Sequence, residues 1–296
     1  MHVRVVLPAV ISCSLISTLM AAEDRYARPK LLLEPSELAQ PEVAEQLVIL
    51  DARPREAYEQ SHIPGARWVD HETWKSALGD GADAEGWSKR IGDLGVGADS
   101  KVVVYDDASA KDAARIWWLL RYWGVDDVRL LNGGWKAWQA EELPTEVNES
   151  PPATAVEFSA TARKKRLVTK NQILASLADR NLQIVDARSN DEFCGIDLKE
   201  NKRGGAIPGA KHLEWSDLID PARGRFKSPG ELRRLFDQAG IDLHKPMASH
   251  CDSGGRASVM AFALELMGAR DSRNYYPGWS EWGNSDDLPA VVPEKK

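Results

Sequence analysis

Short, largely apolar runs recur along the chain at Leu47–Leu50, Lys101–Tyr105, Val128–Leu131, Gln183–Val185 and Pro246–His250. They are too short for helices and too continuous for half-exposed strands, so they read as strands buried on both faces, as in a parallel sheet. The segments between them carry helical spacing. Two open on clear start signals, Thr169-x-x-Gln172 and Ser228-Pro229-x-Glu231, in which a side-chain oxygen caps the first turn and a Gln or Glu reaches back. Strand and helix alternating in this way predict an α/β protein with mostly parallel sheets flanked by helices.

The pattern occurs twice. Ile63-Pro64-Gly65-Ala66 returns as Ile207-Pro208-Gly209-Ala210, an offset of 144, and Gly134-Trp135-x-x-Trp138 returns as Gly278-Trp279-x-x-Trp282 at the same offset. Gly124 maps on Gly268 in the same way. Asp51-Ala52-Arg53 returns as Asp186-Ala187-Arg188 at an offset of 135, so the second copy carries an insertion, placed between Phe193 and Gly205. A repeat of this length means two tandem domains, since solenoid units run to about 20–50 residues. Residues 28–147 form the first domain, 148–166 a Pro-, Ala- and Thr-rich linker, and 167–292 the second domain.

Composition narrows the function. The net charge is −7 and the longest basic run is Lys164-Lys165-Arg166, which disfavours nucleic-acid binding, because neutralising phosphates takes clustered Lys and Arg. The eleven tryptophans include the repeated Trp135, Trp138, Trp279 and Trp282, which read as helix-to-sheet packing because both copies keep them. At the N-terminus, Arg4 precedes an apolar run from Val5 to Met20 that ends at Ala21-Ala22. Residues 1–22 therefore read as a signal peptide, implying export to a periplasm or secretion, with no stable membrane partner. Val10-Ile11-Ser12-Cys13 leaves a lipoprotein site open as an alternative. Cleavage after Ala22 leaves Cys194 and Cys251, too few for a disulfide framework. The histidines show no metal spacing, so no metal is expected.

Cys251 is the centre of the candidate chemistry. It follows Met247-Ala248-Ser249-His250 and opens the run Cys251-Asp252-Ser253-Gly254-Gly255-Arg256-Ala257-Ser258, ahead of a helical segment Val259–Met267. A strand delivering a cysteine to a small-residue turn at a helix start aims backbone N–H groups and the helix dipole at the sulfur. Both favour the thiolate, which is the nucleophile. The competing reading is a buried cysteine at a strand end; two glycines and an arginine within five residues favour the reactive one. Asp106 stands in the first copy where Cys251 stands in the second, and the turn after it, Asp107-Ala108-Ser109-Ala110-Lys111, has neither glycine nor arginine. The first domain should be silent.

The neighbours carry paired readings. Arg256 either promotes the thiolate and binds an anionic donor, or pairs with a carboxylate and holds the loop. Ser253 can donate to the donor or leaving group; Asp252 reads as a solvated loop residue, and His250 as a strand-end packing residue in place of Tyr105. Arg188 is a candidate substrate ligand, but its counterpart Arg53 persists in the silent domain, which favours a structural ion pair with Asp186. Arg203, with Lys199 and Lys202, lies in the insertion and can add positive charge. Cys194 reads as a bystander, with a resolving thiol as the alternative.

Taken in order and twice over, these motifs resemble the two-domain rhodanese family of sulfurtransferases: Asp186-Ala187-Arg188, Ile207-Pro208-Gly209-Ala210, the Cys251 loop and Gly278-Trp279-Ser280-Glu281-Trp282-Gly283, with Asp51-Ala52-Arg53, His62-Ile63-Pro64-Gly65-Ala66, Arg115-Ile116-Trp117-Trp118 and Asn132-Gly133-Gly134-Trp135 in the first half. The resemblance implies two tandem rhodanese-like domains and a Cys251 persulfide cradled by Asp252, Ser253, Gly254, Gly255 and Arg256. It implies a small-molecule sulfur donor, thiosulfate or 3-mercaptopyruvate, an acceptor such as cyanide or a thiol, and no cofactor. The loop departs from the family. Two-domain thiosulfate enzymes resemble Cys-Arg-Lys-Gly-Val-Thr here and mercaptopyruvate enzymes Cys-Gly-Ser-Gly-Val-Thr; Ser253 matches the second, while Gly255-Arg256 looks more like single-domain rhodaneses. The family's substrate-binding Arg falls on Glu192. Two other readings stay open: a persulfide carrier with little small-molecule turnover, and a cysteine phosphatase or arsenate reductase. The latter resemble His-Cys-five residues-Arg, whereas four residues separate Cys251 from Arg256.

Overall fold

The computed structural model describes residues 25–147 and 153–294; the proposed leader, with Cys13, and part of the linker lie outside the described residues. Every apolar run is a strand: β2 Leu47–Asp51, β4 Lys101–Tyr105, β5 Asp127–Leu131, β6 Gln183–Asp186 and β8 Met247–His250. Four further strands, β1 Leu32–Leu33, β3 Arg67–Trp68, β7 Lys211–His212 and β9 Ser272–Tyr275, complete two sheets. The first sheet has the order β1-β5-β4-β2-β3 and the second β7-β6-β8-β9, with every pairing parallel. Both expected capping boxes form, Thr169 with Gln172 and Ser228 with Glu231.

Each strand divides its side chains between two cores, because successive residues point to opposite faces. Val102 and Val104 enter one core and Val103 and Tyr105 another. In the second sheet Met247 and Val185 join the first of these cores, while Ala248 and Ile184 enter a third. The first core is therefore common to both domains. Its centre is the contact between two helices, Lys111–Tyr122 and Gly255–Leu266, where the rings of Trp117 and Phe262 meet edge to face at 5.0 Å. In the Gly255–Leu266 helix every residue except Arg256 is buried, since one side packs on its own sheet and the other on the neighbouring domain. This shared core sets the position of the candidate site. The Cys251 turn lies at the N-terminus of the Gly255–Leu266 helix, at the seam between the domains.

The described part of the linker follows the surface of the first domain and ends in a short 3-10 turn, Lys164–Arg166. Val156 N–H donates to Gly92 O at 3.0 Å and Thr161 N–H to Trp123 O at 3.0 Å. Phe158 is buried in the shared core.

Candidate active site

Strand β8 ends at His250 and hands Cys251 to a turn that closes at Gly254, whose φ is 84°. A side chain at Gly254 would strike the Tyr276 ring, 2.6 Å from an added Cβ. The helix beginning at Gly255 leaves its first N–H groups without intrahelical acceptors, and these border the turn. Behind it, Trp279 N–H donates to Cys251 O at 2.7 Å and Ser280 N–H to Asp252 O at 3.1 Å. The repeated Gly-Trp motif serves this junction, because a Cβ on Gly278 would stand 2.3 Å from Cys251 O. The twin Gly134 lies equally close to Asp106 O, at 2.2 Å.

The first domain shows what such a turn holds. Its strand register sets Asp51 beside Tyr105, as Asp186 lies beside His250, and Trp135 N–H donates to Asp106 O at 2.8 Å. Asp106 and Cys251 are thus equivalent at an offset of 145, one more than the offset of 144 that the flanking Gly-Trp motif keeps. The turn after Cys251 is one residue shorter than its twin. Asp106 places its carboxylate in the ring of amides: Oδ1 accepts from Ala108 and Ala110 N–H at 3.1 and 2.9 Å, and Oδ2 from Asp112 and Ala113 N–H, both at 2.8 Å. Burial pushes this carboxyl up to about 6 against the pull of those amides. The amides also hold Ser109 and Ala110 at φ 57° and 68°, a left-handed conformation costly for residues with a Cβ. An anion in the ring is what this turn is shaped around.

The cations expected near Cys251 are mostly committed elsewhere. Arg256 makes a fork to Glu192, Nη1 to Oε2 at 2.5 Å and Nη2 to Oε1 at 2.9 Å, and Glu192 is 2% exposed. Burial works against both charges. The fork outweighs it, holding the Glu192 carboxyl below the usual carboxylate range and raising Arg256, with Cys251 and Asp252 adding to the latter. Arg256 therefore holds the loop to the Asn190–Phe193 helix, as the carboxylate-pairing reading expected, while its field still reaches Cys251. Glu192, at the position of the family's substrate-binding Arg, is a partner for Arg256.

Arg188 is engaged by structural partners, as the ion-pair reading expected. It is 1% exposed, its Nε and Nη2 fold back on Asp186 at 2.5 to 3.1 Å, Nη2 also donates to Gly205 O at 2.7 Å, and the guanidinium stacks 4.3 Å over the Trp279 ring. Arg53 repeats this arrangement with Asp51, Ser61 O and Trp135. Arg203 donates from its guanidinium to the carbonyls of Trp282, Gly283, Ser285 and Leu288 and so ties the insertion to the C-terminal segment. Lys199 pairs with Asp197 at 2.8 Å. Asp252, expected as solvated, is half-buried and accepts from Asn201 Nδ2 of the insertion at 3.0 Å. His250 is fully buried, with Nε2 3.4 Å from Asp186, and burial lowers its pKa against the pull of that carboxylate; it is the packing residue expected. Cys194 is buried, with Sγ 3.7 Å from Asn190 Oδ1.

Two residues reach the site that the sequence did not place there, Arg115 being legible only as part of the Arg115-Ile116-Trp117-Trp118 motif. Arg115, on the Lys111–Tyr122 helix of the first domain, donates from Nη1 to Ser253 O and to Tyr276 OH, both at 2.8 Å. Tyr276 packs on the turn through its ring, stacked with Trp118 at 5.3 Å. The signal for Arg115 lay in the repeat, since the offset of 144 pairs it with the apolar Val259.

A parallel-sheet domain with a buried cysteine in a turn at a helix start, and a twin domain whose equivalent turn holds a carboxylate in a ring of amides, defines the class. A family model described as the rhodanese-like domain matches residues 34–141 and 169–285, and the chain belongs to that family. Among its relatives, the human 3-mercaptopyruvate sulfurtransferase is 33% identical over 262 residues, covering 83% of this chain and 88% of its own. The thiosulfate sulfurtransferase of Gallus gallus is 35% identical over 249 residues, covering 82% and 85%. The crystal structure of SseA from Escherichia coli, titled as a 3-mercaptopyruvate sulfotransferase, superposes with a TM-score of 0.73 at 28% identity, covering 84% of this chain and 98% of that one. The chain is a sulfurtransferase with two rhodanese domains. Relatives named for either donor match it equally well.

Proposed function

We propose that the protein moves a sulfane sulfur from thiosulfate or 3-mercaptopyruvate to cyanide or a thiol through a persulfide on Cys251. The observation that carries this reading is the carboxylate of Asp106 in the twin ring, taking four backbone N–H bonds. An Asp Oδ stands two atoms beyond Cβ. So does the terminal sulfur of a cysteine persulfide, whereas a bare thiol sulfur stands one atom beyond. The Cys251 turn, one residue shorter and likewise leading into a helix start, is read as a cradle of the same kind for that terminal sulfur.

The chemistry balances without a cofactor. The Cys251 thiolate attacks the outer sulfur of thiosulfate, an S–S bond forms, the donor's own S–S bond breaks, and its electron pair leaves with sulfite. With 3-mercaptopyruvate the C–S bond breaks instead, and the leaving enolate takes a proton to become pyruvate. Cyanide or a thiolate then attacks the terminal sulfur and regenerates the Cys251 thiolate. This is covalent catalysis in two half-reactions. Cys251 is 1% exposed, which favours slender donors and acceptors over a protein partner and so the enzyme over a carrier. The Glu192 fork on Arg256 counts against a phosphatase, whose loop arginine must be free for phosphate.

Two measurements test this. Varying both substrates should give parallel double-reciprocal lines, and donor alone should add one sulfur to the intact mass on the peptide containing Cys251; intersecting lines with no mass gain would overturn the reading. Asp252 adds negative charge beside Arg256, so Asp252→Lys should shift the kcat/KM ratio about three- to tenfold toward dianionic thiosulfate, the scale of a surface charge pair. An unmoved ratio would remove Asp252 from donor choice.

A further inference from the structure

The positive charge that meets the anionic end of the donor comes, we propose, from the silent domain: Arg115 is a specificity-determining residue at the mouth of the Cys251 ring. The inference rests on the sulfur-transfer reading for the identity of its ligand, the sulfonate end of thiosulfate or the carboxylate of 3-mercaptopyruvate.

Four observations support it. Arg115 is 5% exposed, and among the described residues no carboxylate lies within ion-pair distance of it; Glu72 acts on it only through space. A buried guanidinium without a counter-ion is unfavourable on its own and is favoured by an anion brought to it. Its Nη1 bonds place it on the reactive loop, at Ser253 O and Tyr276 OH. Its Nη2 lies against the ring itself, 2.5 Å from where a Cβ on Gly255 would stand. Its Nε is buried without a hydrogen-bond partner.

The remaining cations leave this role open. Arg256 is engaged by Glu192, Arg188 by Asp186 and Arg203 by four carbonyls. The repeat gives an independent argument. The helices Lys111–Tyr122 and Gly255–Leu266 are twins that pack on each other, and a purely structural contact would suit an apolar residue in both. The second copy has Val259 there, fully buried; the first has a charge, and that charge points across the seam to the one turn that bears the cysteine.

The test compares the alkylation of Cys251 by iodoacetate and by iodoacetamide in the full chain, site-resolved by peptide mass. The two reagents differ in charge and share their chemistry. Arg115→Gln should lower the iodoacetate-to-iodoacetamide rate ratio about tenfold, the value of one charge-assisted contact, and raise KM for thiosulfate by a similar factor with kcat changed less. Arg115→Lys should recover most of the ratio. Gly255→Ala, which keeps the buried charge but crowds Nη2, should lower the ratio in the same direction even if Arg115→Gln fails to fold. A ratio unchanged in Arg115→Gln or Gly255→Ala, or equal slowing by both reagents, overturns the proposal. The alkylation readout needs no sulfur chemistry. A protein that never takes up sulfur yet shows the charge effect would therefore sink the sulfur-transfer reading alone.

Discussion

Cys251→Ser is expected to lower kcat for sulfur transfer by about 10⁴- to 10⁶-fold, the scale on which loss of a covalent nucleophile acts, and to abolish the one-sulfur mass gain. A serine hydroxyl is a far weaker nucleophile at neutral pH than a thiolate, and it cannot form the S–S bond that stores the transferred atom. The substitution exchanges one atom in a turn anchored by main-chain bonds to Trp279 and Ser280, so the thermal midpoint should stay within a few degrees. Asp106→Asn is the matching control in the twin ring. It removes the buried charge from a turn with no thiol, and turnover should persist. Steady-state assays with thiosulfate and cyanide, and with mercaptopyruvate and a thiol, check both variants. Turnover retained in Cys251→Ser would end the assignment of this residue.

The second large effect concerns stability. Asp186→Asn should destabilise the protein by about 3–5 kcal/mol at neutral pH, the usual result of leaving one member of a buried ion pair without its partner. Asp186 is 0% exposed and its oxygens take bonds from Arg188 Nε, Nη2 and backbone N–H. Burial alone would raise this carboxyl, but the His250 and Arg188 charges and the Arg188 hydrogen bonds overcome it and hold it down at about 2, against an ordinary 3.8. The folded value is the depressed one. The stabilisation is therefore complete above the ordinary value and disappears as pH falls through about 2. Urea melts of wild type and Asp186→Asn should accordingly differ most at pH 7 and converge as the pH drops below 4 toward 2. A constant gap across that range would show that the charge of Asp186 is not what stabilises the fold.

The strands legible in the sequence were those with continuous apolar runs, such as Val102–Val104. The ones that escaped notice are two-residue strands, Leu32–Leu33, Arg67–Trp68 and Lys211–His212, and β9, whose sequence Ser-Arg-Asn-Tyr has no apolar run. In these cases pairing with a neighbouring strand supplies what propensity does not. The site divides in a similar way. The Cys251 turn with its glycines, and Asp106 in the equivalent turn, could be read because glycine, cysteine and aspartate have local chemical meaning. Arg188 and Arg203 were ambiguous, since an arginine's role depends on which oxygen its long side chain reaches, and that oxygen is remote in sequence in the case of Arg203 and Leu288. The Glu192 fork on Arg256 joins residues 64 positions apart, and the bond from Arg115 to Ser253 spans 138.

By itself the sequence determined the two-domain α/β architecture, the duplication, and the single turn in which a cysteine meets a helix start. These follow from local patterning and from comparison of one half with the other. Tertiary structure alone decided which cations are committed to carboxylates, that the two domains share one core, and that Arg115 of the first domain reaches the Cys251 turn of the second. Charge partnership depends on distances across the seam, and those are set only when the two cores close on each other.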